Sequence, residues 1–132
     1  REEARAMARL RGCSGIACIY EYESDPLPYI AMEYVRGAVD ILDFAVDRDL
    51  SLRDKLRLFA HACEIIGHAH AAGVIHRNLK PSNIVIDAHS QPHLLDFSLA
   101  LTTSTIPSAS ASERGGIFGT VDFMAPEQAS RD

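Results

Sequence analysis

His76-Arg77-Asn78-Leu79-Lys80-Pro81-Ser82-Asn83 sits between two short apolar runs, Val74-Ile75 and Ile84-Val85-Ile86. Short apolar runs bounded by turn-forming residues predict strands, so the octapeptide reads as a loop joining two of them. Downstream, Leu94-Leu95 predicts another short strand, and Asp96-Phe97-Ser98 follows at once. From Thr102 to Gly116 the composition shifts to Ser, Thr, Ala and Gly with almost no apolar periodicity, which predicts a loop. Beyond it comes Ala125-Pro126-Glu127. Taken singly, Lys80 is a surface lysine, Asn83 a turn asparagine and Asp96 a strand-end aspartate. The order and spacing of the three segments give them weight together.

Upstream, Ser51 and Asp54 form a capping-box-like start in which each side chain can satisfy a free backbone N–H. Leu52, Leu56, Phe59, Cys63 and Ile66 then recur every three or four residues, predicting a helix with a buried stripe that ends near Gly73. Residues 1–11 are rich in good helix formers, and Gly12-Cys13-Ser14-Gly15 stops them. Ile16–Tyr22 and Tyr29–Val35, separated by Ser24-Asp25-Pro26, predict a hairpin. Val39–Val46 predicts a short helix carrying Asp40, Asp43 and Asp47.

The chain has 132 residues, which suggests one domain or part of one. It carries 13 basic and 18 acidic side chains, a net charge of −5, so no basic excess points to a nucleic-acid partner. Its apolar fraction of 47% fits a globular chain. No stretch is long enough to span a membrane. No leader peptide is read, and the start at Arg1 looks like a cut through a longer chain. Cys13, Cys18 and Cys63 are odd in number and form no CxxC pair, which suits a reduced, cytoplasmic setting. Of the six histidines, His61 and His68 could share a helix face while His70 points elsewhere; core or helix-end roles fit better than zinc.

The three segments resemble, in order and spacing, the signature set of the eukaryotic-type (Hanks-type) serine/threonine protein kinases: a catalytic loop, a metal-binding loop and the end of the activation segment. Lys80 two residues after Asn78, and Gly119-Thr120 before Ala125-Pro126-Glu127, resemble the serine/threonine branch and most of all its bacterial members. The resemblance covers essentially the whole chain. It implies a partial two-lobe α+β fold, with residues 1–31 from the small lobe, 32–37 the gatekeeper and hinge, and 38–132 from the large lobe. Within the last, 76–83 is the catalytic loop and 96–127 the activation segment.

The resemblance also implies the family reaction, transfer of the ATP γ-phosphate to protein serine or threonine with Mg2+. Phosphoryl transfer needs positioning, charge neutralisation and a group that accepts the hydroxyl proton. The family uses an aspartate for the last; here Asn78 stands in its place. A carboxamide can accept a hydrogen bond but cannot serve as the base. The missing help is worth about 10²–10⁴-fold, about 3–5 kcal/mol. Lys80 would place a positive charge on the moving phosphoryl group, and Asn83 and Asp96 would be oxygen ligands of Mg2+. Glu33 and Val35, in the hinge after Met32, would offer backbone groups to the adenine. Glu3 would pair with the ATP-site lysine, or is one more solvated charge. Ser98 stands where the family has a glycine free to reach positive φ. Met7, Ile19, His76 and Phe97 resemble the apolar column that joins the lobes.

Arg77 would pair with a phosphate on the Ser/Thr-rich loop, unless that loop is never modified. The glycine-rich loop, the ATP-site lysine and an arginine partner for Glu127 are not in these residues, so the chain alone should expose apolar surface and aggregate easily. The implied partners are a protein substrate or a regulated protein, with no nucleic acid and no membrane contact from this segment. Two rivals follow from Asn78: a pseudokinase that binds nucleotide or scaffolds a partner without transfer, and an inactive gene product.

Overall fold

The computed structural model describes residues 9–10, 12–23, 27, 29–96, 101–102 and 121–129. Glu3, Met7, Phe97, Ser98 and most of the Ser/Thr-rich stretch lie outside the described residues. Arg9 and Leu10 are helical, and Gly12 follows at φ 85. The Cys13 N–H closes a turn on the Leu10 carbonyl at 3.0 Å.

The hairpin forms as β1 (Ile19–Glu23) and β2 (Tyr29–Met32), antiparallel, with Ile19 opposite Met32 and Glu23 opposite Tyr29. Both strands are shorter than the sequence pattern suggests. Ile16 leaves the hairpin to bridge Leu94 in parallel, and Glu33–Val35 run on beyond the end of β2. β3 (Val39–Asp40) leads into α1 (Ile41–Asp47), so the predicted helix from Val39 begins two residues late. Asp40 is the reason: its carboxylate accepts the Leu42 N–H at 2.8 Å and caps the helix.

The long helix α2 (Leu52–Ala71) is capped by Ser51 as expected, its hydroxyl accepting the Asp54 N–H at 3.2 Å. The return half of the capping box differs. The Asp54 carboxylate accepts the Ser51 hydroxyl at 2.6 Å and Arg57 at 3.2 Å. Gly73 ends the helix at φ 75, donating its N–H to the His70 carbonyl at 2.9 Å. β4 (Val74–Ile75) then pairs with β7 (Leu101–Thr102). A 3₁₀ turn (Pro81–Asn83) precedes β5 (Ile84–Ile86), which lies between β3 and β6 (Pro92–Leu94) in an antiparallel sheet. A second 3₁₀ turn (Val121–Phe123) and α3 (Pro126–Ala129) close the described chain.

The core is Leu10, Ile16, Ile65, Ala69, Val74 and Leu94, with Leu79 and Ile84 packed against it. Of the expected stripe on α2, Ile66 packs against this core and the other four positions are corrected. Ala62, Ile65 and Ala69 are its buried positions, whereas Leu52, Leu56 and Phe59 are 74%, 59% and 61% exposed and Cys63 is exposed too. The helix has two apolar faces, and the one bearing small alanines sits against the β-strands. The other borders an apolar groove of about 550 Å³ with Ile41, Leu58, Ile66, Leu79 and Phe123. Among the described residues no helix is long and apolar enough to cross a membrane.

Gly15 is where backbone and core meet most tightly. It sits at φ 78, and a Cβ there would lie 2.5 Å from Cδ1 of Ile65. Left-handed strain and overpacking add, so Gly15→Ala is expected to cost about 2–4 kcal/mol in chemical denaturation.

Candidate active site

The catalytic loop is anchored before its chemistry begins. Leu79 packs on the core, and His76, 1% exposed, holds both ends of a small network. His76 Nε2 donates to the Leu95 carbonyl at 2.8 Å, and its Nδ1 accepts the Asn78 N–H at 3.2 Å. These two bonds select the neutral Nε2–H tautomer. Burial pushes the imidazole below its ordinary pKa, outweighing the Leu95 bond and the nearby Asp96 charge, which pull the other way.

The sign of the pH effect follows from that direction. The unfolded chain binds the proton more tightly, so the native state holds its full stability above about pH 6.5 and loses it as pH falls through that value toward the lowered native one. Urea titrations across this window should show the midpoint dropping, and His76→Phe should flatten the slope. An unchanged slope in that variant would remove His76 as the cause.

The network brings three of the expected residues together. Asp96 Oδ2 accepts from Asn78 Nδ2 at 3.2 Å and from Asn83 Nδ2 at 3.4 Å. Asn83 Nδ2 also donates to the Asn78 carbonyl at 2.9 Å, and the Leu95 N–H donates to the Asn83 carbonyl at 2.8 Å. Asn83 is buried in the 3₁₀ turn, while Asn78 and Asp96 are half-buried. Arg77 and Asp96 adopt φ 67 and φ 59, left-handed conformations that cost non-glycine residues on the order of 1–3 kcal/mol. The hydrogen bonds to the Asp96 side chain and those at Leu95 hold that geometry.

Asn78 is used in an unexpected sense. Its donor end meets Asp96, and its Oδ1 is buried with no hydrogen-bond partner among the described residues. Turning the amide over would set that oxygen against the Asp96 carboxylate, so the charge of Asp96 dictates the orientation. An acceptor left without a partner costs about 1–3 kcal/mol. Sequence spacing showed the three residues but not this bond, which spans 18 positions.

Lys80 is half-buried, and its ammonium makes no ion pair or hydrogen bond among the described residues. The structure therefore does not tie it to the Asn78–Asp96 network. Glu33 and Val35 follow the hairpin. The Glu33 N–H donates to the Cys18 carbonyl at 2.7 Å, its carboxylate accepts the Cys18 N–H at 3.1 Å, and the Val35 carbonyl accepts the Ala38 N–H at 3.3 Å. Among the described residues, no hydrogen bond reaches the Glu33 carbonyl or the Val35 N–H. The Glu33 side chain thus does structural work that a purely backbone reading of this segment overlooked. The adjacent Ala17 N–H donates to the Leu94 carbonyl at 3.1 Å, which links this extension to β6, the strand that ends two residues before Asp96. Of the other expected residues, Ile19 is half-buried opposite Met32, and Glu127 is exposed in the first turn of α3.

The Asn83 and Asp96 side chains meet at 3.4 Å through the Asn83 amide nitrogen, and each also carries a hard oxygen, so the donor set of the two residues fits a magnesium ion. No cluster of three or more His, Cys, Asp or Glu able to hold a metal occurs among the described residues, the three histidines of α2 included.

A mixed helix and sheet fold, with an acid after β6 and an amide-bearing loop before β5, defines a protein kinase domain. The whole chain, residues 1–132, matches the protein kinase domain family, and it belongs to that family. The chain is 35% identical to the serine/threonine-protein kinase PknB of Mycobacterium leprae over 139 residues, covering 100% of this chain and 22% of that protein. It is 33% identical to PknB of Mycolicibacterium smegmatis, covering 98% and 21%, and 34% identical to PknA of Mycobacterium tuberculosis, covering 98% and 30%. The chain is thus of the bacterial Hanks-type serine/threonine branch and spans between about a fifth and a third of these relatives.

Proposed function

We propose that this chain is a kinase-fold nucleotide-binding segment in which the family reaction, ATP-dependent phosphoryl transfer to protein serine or threonine, is impaired by Asn78. The observation that carries this is the Asn78 side chain, which gives its donor to Asp96 and keeps only a neutral oxygen. It can orient a substrate hydroxyl but cannot take its proton. The protein that contains this segment would act on a protein substrate or regulate a protein partner in the cytoplasm. The free state of all three cysteines supports that location.

The remaining roles belong to the same reading. Residues 1–31 are the small-lobe part, 32–37 the gatekeeper and hinge, and 38–132 the large-lobe part. The Glu33 carbonyl and Val35 N–H meet the adenine. Glu3 orients the ATP-site lysine. Asp96 and Asn83 hold magnesium, which when bound neutralises charge on the β- and γ-phosphates. Lys80 would place its positive charge on the transferred group.

A pseudokinase role is the second reading, and the Asn78–Asp96 bond favours it because it holds the site's shape without supporting chemistry. The test is binding of a fluorescent ATP analogue by the full-length protein, alongside transfer of labelled phosphate to a generic protein substrate. Binding is expected, with turnover at least about 10²-fold below the roughly 1–100 s⁻¹ of working kinases. Turnover within that range would overturn the impairment, and absence of binding would overturn the nucleotide site.

A further inference from the structure

Two amides and one carboxylate make up the Asn78–Asn83–Asp96 cluster, and both amides aim N–H at the same oxygen of Asp96. The residue before Asp96 is held as well, through the His76 bond to the Leu95 carbonyl and the Leu95 N–H bond to Asn83. Asp96 therefore keeps its left-handed backbone and its side-chain position through protein donors alone. An aspartate at position 78 would do the opposite. It would bring a second carboxylate to about the 3.2 Å that now separates donor and acceptor, and a cation, or below neutral pH a shared proton, would be needed to hold the two together.

We propose that Asn78 is a positioning residue that takes the place of a divalent cation, tethering Asp96 by a hydrogen bond so that the site keeps its shape, and binds adenine nucleotide, with weakened dependence on magnesium. The second half rests on the nucleotide reading above, and the first does not. A cation arriving at Asp96 must compete with two N–H donors for Oδ2 and meets one formal charge from the cluster instead of two. Its contribution to order and to nucleotide affinity is correspondingly small.

The experiment uses the full-length protein, Asn78→Asp, and the double variant Asn78→Asp/Asp96→Asn, in which an amide and a carboxylate face each other with polarity reversed. Thermal unfolding without nucleotide is followed at about pH 8, where carboxylates are ionised, once in EDTA and once in millimolar Mg2+. In EDTA, Asn78→Asp is expected to melt about 4 °C or more below the native protein. Mg2+ should restore it while hardly moving the native protein. The double variant should regain the native melting temperature in EDTA. That rescue also serves if the single variant fails to fold at all. Equal melting of Asn78→Asp and native protein in EDTA, or a double variant no better than the single one, would overturn the tether.

A fluorescent ATP analogue then reads the consequence. The native Kd should change less than about threefold between EDTA and Mg2+, and that of Asn78→Asp more than about tenfold. Equal magnesium dependence in the two proteins would overturn the weakened dependence. Loss of binding by every variant under both conditions would sink the nucleotide reading, with the melting data still deciding the tether.

Discussion

Asn78→Asp is expected to raise phosphate transfer by the full-length protein about 10²-fold or more in the presence of Mg2+. The substitution changes one atom's chemistry and almost no volume. The backbone bonds that hold position 78 are indifferent to it: the Asn78 N–H still meets His76 Nδ1 and the Asn78 carbonyl still accepts from Asn83. The gain comes from a carboxylate able to take the substrate hydroxyl's proton, worth about 3–5 kcal/mol of barrier. The loss is the donor to Asp96, and a magnesium ion held by Asp96 and Asn83 would offset it by screening the two acids from each other. Transfer of labelled phosphate to a generic protein substrate measures the difference. A native protein as fast as its variant would show that Asn78 is no impediment. A variant that binds ATP but stays inactive would move the defect elsewhere, with Ser98 the first position to restore to glycine.

The cluster and the helix show what could be read from sequence and what could not. Asn78, Asn83 and Asp96 were legible because residue order and spacing carry them, and the structure brings them within hydrogen-bond reach. The direction of the Asn78 amide was not legible, since it depends on a charge 18 residues away whose position the tertiary fold sets. The Glu33 carboxylate, too, found a partner in the Cys18 N–H that no local pattern announces. The ends of α2 were legible from Ser51 and Gly73, because caps are local chemistry. Its buried face was not. Periodicity reports that a face is apolar, but burial depends on which neighbour reaches it, and Ala62 and Ala69 gave the weaker pattern.

That difference yields the second large effect. Ile65→Asp is expected to unfold the 132-residue chain, because a charge would replace a side chain 4% exposed among Leu10, Ile16, Val74 and Leu94. The lost packing alone is worth about 2–5 kcal/mol, and an unpaired buried carboxylate adds to it. Phe59→Asp, on the other face of the same helix, should leave the folding free energy of this chain within about 1 kcal/mol. It should also reduce binding of a hydrophobic dye and self-association, since Phe59 is 61% exposed beside the apolar groove. Urea denaturation and light scattering separate the two. In a longer protein that carries these residues the same Phe59→Asp becomes a test of what covers the face. If it destabilises the longer protein by several kcal/mol while sparing this chain, the stripe of Leu52, Leu56, Phe59 and Cys63 is core there. The reading from sequence would then be right for the longer chain and wrong only for this one. If both tolerate the charge, the stripe is surface in each, and the apolar pattern serves contact with another molecule.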